Sequence, residues 1–231
     1  MTRVALVGLG TVFLAAGCMS DSIPPLTATR FLALGDSYTI GEGVRNADCW
    51  PSQLAAVLRA EGVGVGEPQI VAETGWTVAE LDAGLDAAAP NGPFGLVTLL
   101  VGVNDQYRGG DAETFQPAFR ALLVRAVGFA SGAARRVVVL SIPDWGVTPF
   151  AARSGFAGGR DAAGVARALD AFNAAARAEA LAAGAHWVSV SDVSRAHGAT
   201  EVAADGLHPS QTLYARWAAL AEPAARAALA E

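Results

Sequence analysis

The sequence has little of what several large classes of protein require. Its two cysteines, Cys18 and Cys49, are too few for a cysteine-rich zinc site or a framework of disulfide bonds. Its 16 basic residues are outnumbered by 22 acidic ones, and the longest basic run is Arg135-Arg136. Nucleic-acid binding requires a clustered positive surface, so we expect no nucleic-acid partner. No cluster of metal-ligand residues is visible either, and we expect neither a metal nor a cofactor.

Apolar residues, in contrast, are plentiful. They make up 52% of the 231 residues, which is enough to build a sizeable core. From residue 30 onward, short apolar segments alternate with helix-like ones. Strands are predicted at 30–34, 69–72, 96–101, 136–141 and 186–190, and helices at 50–60, 78–88, 112–130, 164–183 and 212–230. This alternation predicts one α/β domain over 30–231, a three-layer α/β/α sandwich around a five-stranded parallel sheet.

The first 29 residues differ from this pattern. Arg3 precedes an apolar run at 4–16 that is too short to span a bilayer, as is typical of a cleaved signal peptide over 1–17. The run ends in Leu-Ala-Ala-Gly-Cys at 14–18, which resembles the lipobox of bacterial lipoproteins. That resemblance implies a lipid anchor on Cys18, followed by a linker that reaches residue 29 and contains Pro24-Pro25.

The domain is therefore expected in the bacterial cell envelope, held on the periplasmic side of a membrane by its lipid anchor. The alternative is an ordinary secretory signal, cleaved nearby, in which Cys18 has no role and the protein is secreted.

Polar residues and glycines follow the predicted strands. Ser37 follows the first strand, Gly75 the second and Asn104 the third, while Asp205 and His208 come after the fifth. In parallel sheets, ligands bind outside the C-terminal ends of the strands, so these residues can meet at one rim. Each has a structural explanation alone, since turn serines cap helices and glycines permit turns. Together they are a complete set for acyl transfer.

The sequence around these residues resembles that of the SGNH family, also called GDSL hydrolases. Four blocks carry the resemblance: Gly-Asp-Ser-Tyr at 35–38, Gly75, Gly-Val-Asn-Asp at 102–105 and Asp-Gly-Leu-His-Pro at 205–209. The fourth residue of the first block departs from the literal Gly-Asp-Ser-Leu, at a position that takes no part in the chemistry. The resemblance extends from residue 30 to about residue 220 and implies a flavodoxin-like fold and hydrolysis of carboxylic esters.

The same resemblance implies a role for each site residue. Ser37 would be the nucleophile, His208 its base and Asp205 the carboxylate that orients the histidine. The backbone N–H groups of Ser37 and Gly75, with the side-chain amide of Asn104, would form the oxyanion hole.

Aromatic residues near the blocks are the candidates for substrate binding. Trp76 and Tyr107 flank the expected oxyanion residues, and Trp145 and Phe150 lie in the stretch 142–162. That stretch is either a binding element or lid, or a loop whose aromatic residues pack on their own domain.

Three functions remain open on this basis. An apolar pocket would favour short acyl or aryl esters, or lysophospholipids, as small-molecule or lipid substrates. A polar, open groove would favour a deacetylase of cell-envelope carbohydrate. A non-catalytic lipoprotein that binds a ligand through the same fold is the third, and the presence of Ser37, Asn104, Asp205 and His208 together argues against it.

Overall fold

The computed structural model of the protein describes residues 28–154 and 161–230. In these residues five parallel strands form one sheet in the order β2-β1-β3-β4-β5, as predicted. The strands are β1 (Thr29–Gly35), β2 (Val65–Ala72), β3 (Leu96–Leu100), β4 (Val137–Leu140) and β5 (His186–Val188). The expected signal peptide, Cys18, most of the linker and residues 155–160 of the stretch 142–162 lie outside the described residues.

Helices cover both faces of this sheet. They are α1 (Ser37–Ile40), α2 (Trp50–Ala60), α3 (Val78–Ala88), α4 (Val103–Tyr107), α5 (Ala112–Phe129), α6 (Pro149–Ser154), α7 (Ala162–Ala183), α8 (Ser191–His197) and α9 (Gln211–Leu229). Helix α2 packs against α9, whereas α5 packs against both α3 and α7. The chain moves outward from β1 to β2 and then crosses back to β3, β4 and β5. Because each crossover is right-handed, this change of direction places the helices on the two opposite faces of the sheet.

The centre of the sheet is fully covered. Every residue of β3 and β4 is buried, as expected for parallel strands with helices on both sides. The outer layers contribute large side chains to the same core, among them Trp50 from α2 and Trp217 from α9.

The strand order creates a crevice above β1 and β3. From β1 the chain continues to β2 on one side, whereas from β3 it continues to β4 on the other side. The gap above the C-terminal ends of β1 and β3 is therefore the switch point of the fold. Ser37 follows β1 and Asn104 follows β3, so the topology places both beside this crevice.

The short helices α1, α4 and α8 were not predicted, and two further regions differ from the prediction. Strand β2 begins at Val65, earlier than the predicted residue 69, and includes Pro68. Proline is tolerated there because β2 is an edge strand and pairs only with β1 in the described sheet. The stretch 142–162, in its described part, contains a 3-10 turn at Trp145–Val147 and helix α6 rather than one continuous loop.

Among the helices of the described ranges, none is both long enough and apolar enough to cross a membrane.

Candidate active site

Ser37 is the first residue of α1, directly after the turn that ends β1. A side chain on Gly35 would overlap Thr39 and the carbonyl of Leu100, so glycine lets the strand turn straight into the helix. Asp36 caps this helix, because its Oδ1 accepts the N–H of Tyr38 at 3.0 Å. The backbone N–H of Ser37 lies in the first helical turn and has no acceptor within the helix.

Asp36 is a structural acid rather than a proton carrier. Burial raises the pKa of its fully enclosed carboxyl to about 8, although the hydrogen bond from the Tyr38 N–H acts in the opposite direction. Its Oδ2 is buried and has no hydrogen-bond partner in the described part of the chain. Asp36 is therefore largely protonated at neutral pH, and it stabilises the turn that presents Ser37.

His208 and Asp205 form a direct pair. The Nδ1 atom of His208 lies 2.6 Å from Oδ2 of Asp205, and Asp205 Oδ1 accepts the N–H groups of Leu207 and His208 at 2.8 and 3.0 Å. Burial acts to raise the pKa of Asp205, but the hydrogen bonds from His208 and these backbone groups outweigh it and hold the pKa below its usual value. The ionised carboxylate keeps the imidazole proton on Nδ1, which leaves Nε2 free to accept one.

The loop that carries this pair is held by its own backbone and by α6. The N–H of Ala203 donates to the carbonyl of His208 at 2.7 Å. Helix α6 binds the same loop twice: the N–H of Phe150 donates to Gly206, and the guanidinium of Arg153 donates to the carbonyl of Asp205, at 2.9 and 2.8 Å. The histidine thus depends on contacts between loops rather than on a strand end.

The expected oxyanion residues lie on two neighbouring segments. Gly75 adopts a left-handed backbone conformation, with φ of 91°, in the turn between β2 and α3. Asn104 lies in α4, and its Nδ2 donates to the carbonyl of Trp76 at 2.9 Å. Only the nitrogen of an amide can donate to a carbonyl, so this contact fixes the orientation of the Asn104 side chain and leaves its second N–H available.

These residues meet around one cavity. Ser37, Gly75, Asn104 and His208 all line a space of about 180 Å³. The other lining residues are mostly apolar or aromatic: Tyr38, Thr74, Val103, Tyr107, Trp145, Phe150 and Leu207. In the described structure Ser37 Oγ and the His208 ring share no hydrogen bond, a contact that often forms only in a substrate complex.

Three of the four predicted substrate residues lie in the cavity wall: Tyr107, Trp145 and Phe150. Trp145 is the most firmly held, because its Nε1 donates to Oε1 of Gln106 at 2.9 Å and the Tyr107 ring packs edge-on against it. Trp76 is outside the wall. Its indole occupies the space that a side chain at Gly84 would fill, so it packs against α3 instead.

The sequence argument missed Tyr38, Val103 and Leu207 as wall residues. Each is the neighbour in sequence of an expected catalytic residue, and that adjacency is the signal by which they can be found.

Among the described residues, His, Cys, Asp and Glu do not come together in threes that could hold a metal ion.

Residues 33–216 match the model of the GDSL-like lipase/acylhydrolase family. A search of curated proteins finds no match. The crystal structure of TesA is 22% identical and superposes with a TM-score of 0.66, covering 87% of this chain and 100% of that one.

Two further solved structures are similar over most of their length. A lipase/acylhydrolase from Enterococcus faecalis is 18% identical with a TM-score of 0.62, covering 84% of this chain and 94% of its own. A mutant of an acetyl-xylooligosaccharide esterase from Geobacillus is 16% identical with a TM-score of 0.60, covering 89% and 95%. At these identities the likeness shows a shared fold.

Proposed function

Since the chain belongs to the GDSL-like lipase/acylhydrolase family, we propose that it is a serine hydrolase that cleaves carboxylic esters with short acyl or aryl groups. One observation carries this proposal: a nucleophile, a paired histidine and two oxyanion donors line a single cavity with apolar walls. The family membership supports an ester-hydrolysing enzyme, and the walls of the cavity support the choice of substrate.

In the first step Ser37 Oγ attacks the ester carbonyl and gives its proton to Nε2 of His208. The imidazolium that forms is stabilised by the ionised Asp205 carboxylate, 2.6 Å from Nδ1. The C–O bond to the leaving alcohol then breaks, and His208 returns the proton to the departing oxygen. Water attacks the acyl-enzyme by the same route, which releases the acid and restores Ser37.

Negative charge that develops on the carbonyl oxygen is met by N–H donors. The backbone N–H of Ser37, the backbone N–H of Gly75 and the second N–H of Asn104 are the donors of this proposed hole. Fixed donors of this kind lower the barrier by roughly 3 kcal/mol each, because they need no reorganisation when the charge appears.

The size of the cavity favours short acyl groups. A volume of about 180 Å³ is equivalent to only a few water-sized units. Trp145 is almost completely buried and held by Gln106, so it closes one side of this space with a rigid ring. Long acyl chains, such as those of lysophospholipids, would have to extend past the exposed edge of Tyr107.

Deacetylation of cell-envelope carbohydrate is the second candidate, because an acetyl group also fits a cavity of this size. The apolar walls favour the first candidate, since a sugar ring presents hydroxyl groups that need hydrogen-bond partners.

The test is a screen of the purified protein against aryl esters from acetate to laurate, alongside acetylated xylooligosaccharides. We expect the highest kcat/KM on short aryl esters and covalent labelling of Ser37 by an organophosphonate. Ser37→Ala is the matched control and should lose both reactions. Hydrolysis that survives in Ser37→Ala would disprove the serine mechanism, and activity confined to the acetylated sugars would establish the second candidate.

For the N-terminal segment we propose the location that its sequence favours, a lipid anchor on Cys18 in the bacterial envelope. Native protein should show diacylated or triacylated Cys18 by mass spectrometry, and Cys18→Ser should leave the membrane fraction. Detection of an unmodified Cys18 in membrane-bound native protein would refute the anchor and leave the hydrolase proposal intact.

A further inference from the structure

We propose that Arg108, a half-exposed residue outside the cavity wall, is a positioning residue that holds the Gly75 segment in the geometry of the oxyanion hole. The inference rests on the proposed function, because it concerns one donor of that hole. Arg108 acts through Gly75 and touches none of the reacting atoms.

The guanidinium of Arg108 bridges two parts of the Gly75 segment. Its Nη2 donates to the carbonyl of Gly75 at 2.7 Å, and its Nη1 donates to Oε1 of Glu80 at 3.0 Å. A guanidinium is planar, so two contacts made by its two terminal nitrogens also fix the direction in which it presents each donor. Arg108 therefore fixes the Gly75–Trp76 peptide relative to the start of α3.

Glu80, the carboxylate partner of Arg108, is itself held in place. Its Oε2 accepts the N–H of Thr77 at 2.8 Å, and the Thr77 side chain accepts the N–H of Glu80 in return, which forms a capping box. The Thr77 N–H, followed by the Arg108 guanidinium, lowers the pKa of Glu80 to about 2. The carboxylate is thus ionised at any pH at which an esterase is assayed.

Arg108 is one of three anchors from a single short region. Asn104 donates to the carbonyl of Trp76, and Asp105 accepts the N–H of Val78 at 3.1 Å. Arg108 adds a hydrogen bond to the carbonyl of Gly75. The α4 region therefore carries the Asn104 donor directly and holds the Gly75–Trp76 peptide, which directly follows the residue that supplies the Gly75 donor.

Gly75 requires such a restraint. Its left-handed backbone conformation, with φ of 91°, is adopted readily by glycine but is not enforced by it, because glycine has access to more of backbone space than any other residue. The Glu73–Thr77 turn lies between β2 and α3, where no strand pairing reaches it. Arg108 supplies the restraint that the glycine lacks.

The test compares Arg108→Ala with a matched control, Arg125→Ala. Arg125 also bridges a backbone carbonyl and carboxylates of α3, with contacts to Asp82 and Asp86, but at a distance from the cavity wall. On a short aryl ester, Arg108→Ala should lower kcat by between about 10-fold and 100-fold with KM changed less than about twofold, because misplaced groups affect the transition state most. Arg125→Ala should keep the wild-type kcat.

Thermal unfolding separates positioning from stability. Arg108→Ala removes one surface ion pair and Arg125→Ala removes two, so both should lower the melting temperature by small amounts, and Arg108→Ala by no more than Arg125→Ala. An Arg108→Ala variant with wild-type kcat would overturn the proposal. So would a loss of kcat that Arg125→Ala reproduces.

Arg108→Lys provides a second test that does not depend on the alanine variant folding. One ammonium cannot bind Gly75 and Glu80 in the fixed planar geometry of a guanidinium, so the expected kcat lies between those of the wild type and Arg108→Ala. Full wild-type kcat in Arg108→Lys would overturn the bridging role. If Ser37→Ala retains activity, the proposed function itself fails, and the two failures are thereby distinguished.

Discussion

The two sides of the cavity are built by different means. The side that carries Ser37, Gly75 and Asn104 follows strands β1, β2 and β3 within a few residues, so the sheet itself places these groups. The side that carries His208 comes only after α8 and a further loop, and contacts with α6 hold it. The proposed nucleophile and oxyanion donors are therefore brought to the cavity by the sheet topology, whereas the proposed base is brought there by contacts of its loop with α6.

The largest expected effect tests whether the two sides act as one unit. His208→Ala, on the loop side, should lower kcat by roughly 10³-fold or more, as Ser37→Ala should on the strand-end side. The double variant should be no worse than either single variant, because either change removes the same proton transfer. Steady-state kinetics on one aryl ester measures all three proteins. Losses that multiply in the double variant would show that the two sides act independently.

A smaller effect is expected when one glycine on each side of the cavity is replaced by alanine. Gly102 precedes Asn104 with φ of 125°, and an added Cβ would lie 2.7 Å from the buried ring of Phe115. Gly206 lies in the histidine loop with φ of 74°, and its Cβ would meet only the flexible end of Arg153 at 2.6 Å. Gly102→Ala should lower the free energy of unfolding by about 2–5 kcal/mol, since it combines left-handed strain with overpacking.

Gly206→Ala should lower the free energy of unfolding by about 1–2 kcal/mol, because the added Cβ is strained by the left-handed backbone but meets only a flexible side chain. Urea unfolding at neutral pH measures both variants. A larger loss for Gly206→Ala would show that the histidine loop is the more rigid side, the reverse of our interpretation.

Measured per pH unit, the smallest expected effect concerns the two acids, whose pKa values move in opposite directions. Burial raises the pKa of Asp36 to about 8, so the folded state keeps a proton that the unfolded state loses above about pH 4. The contribution of Asp36 to wild-type stability should therefore fall as the pH rises from about 4 to about 8. Asp36→Asn should remove this loss, and its stability relative to the wild type should grow by at most roughly 1.4 kcal/mol per pH unit.

The pKa of Asp205 shifts in the opposite direction, so its contribution to stability depends on pH with the opposite sign. Its pKa is lowered, so its stabilising contribution is present above the unfolded pKa and is lost as the pH falls through the folded one. Thermal unfolding of Asp36→Asn between about pH 4 and pH 8, and of Asp205→Asn below about pH 4, measures the two trends. Parallel trends for the two variants would contradict the contrast between the two sites.

The sequence predicts the strand-end side well because short local patterns are enough to identify a strand and the turn that ends it. An apolar strand followed by Gly35-Asp36-Ser37 predicts a strand that ends in a tight turn, and the predicted parallel sheet fixes which edge its residues share. The short helices α1, α4, α6 and α8 were not predicted, whereas the sheet and its five long helices were predicted on the same grounds, apart from the start of β2. There Gly66 and Pro68 hide an edge strand from a rule that searches for apolar runs.

The loop side is beyond such rules. Only the resemblance to a known family links Asp205 and His208 to Ser37, since no periodic pattern positions a loop. The packing of Trp76 against α3 was also hidden, because it depends on Gly84 being free of a side chain. The role of Arg108 requires the three-dimensional positions of Gly75 and Glu80, which a linear pattern does not supply.

Strand β1 has a consequence for how the enzyme would meet its substrate. Its seven residues, from Thr29 to Gly35, span roughly 20 Å from the opposite edge of the sheet to the turn before Ser37. Anything attached through the N-terminal segment joins the domain at the end of β1 that is remote from the cavity. A tether at that end would leave the mouth of the cavity unobstructed, so soluble esters could enter it while the domain stayed attached.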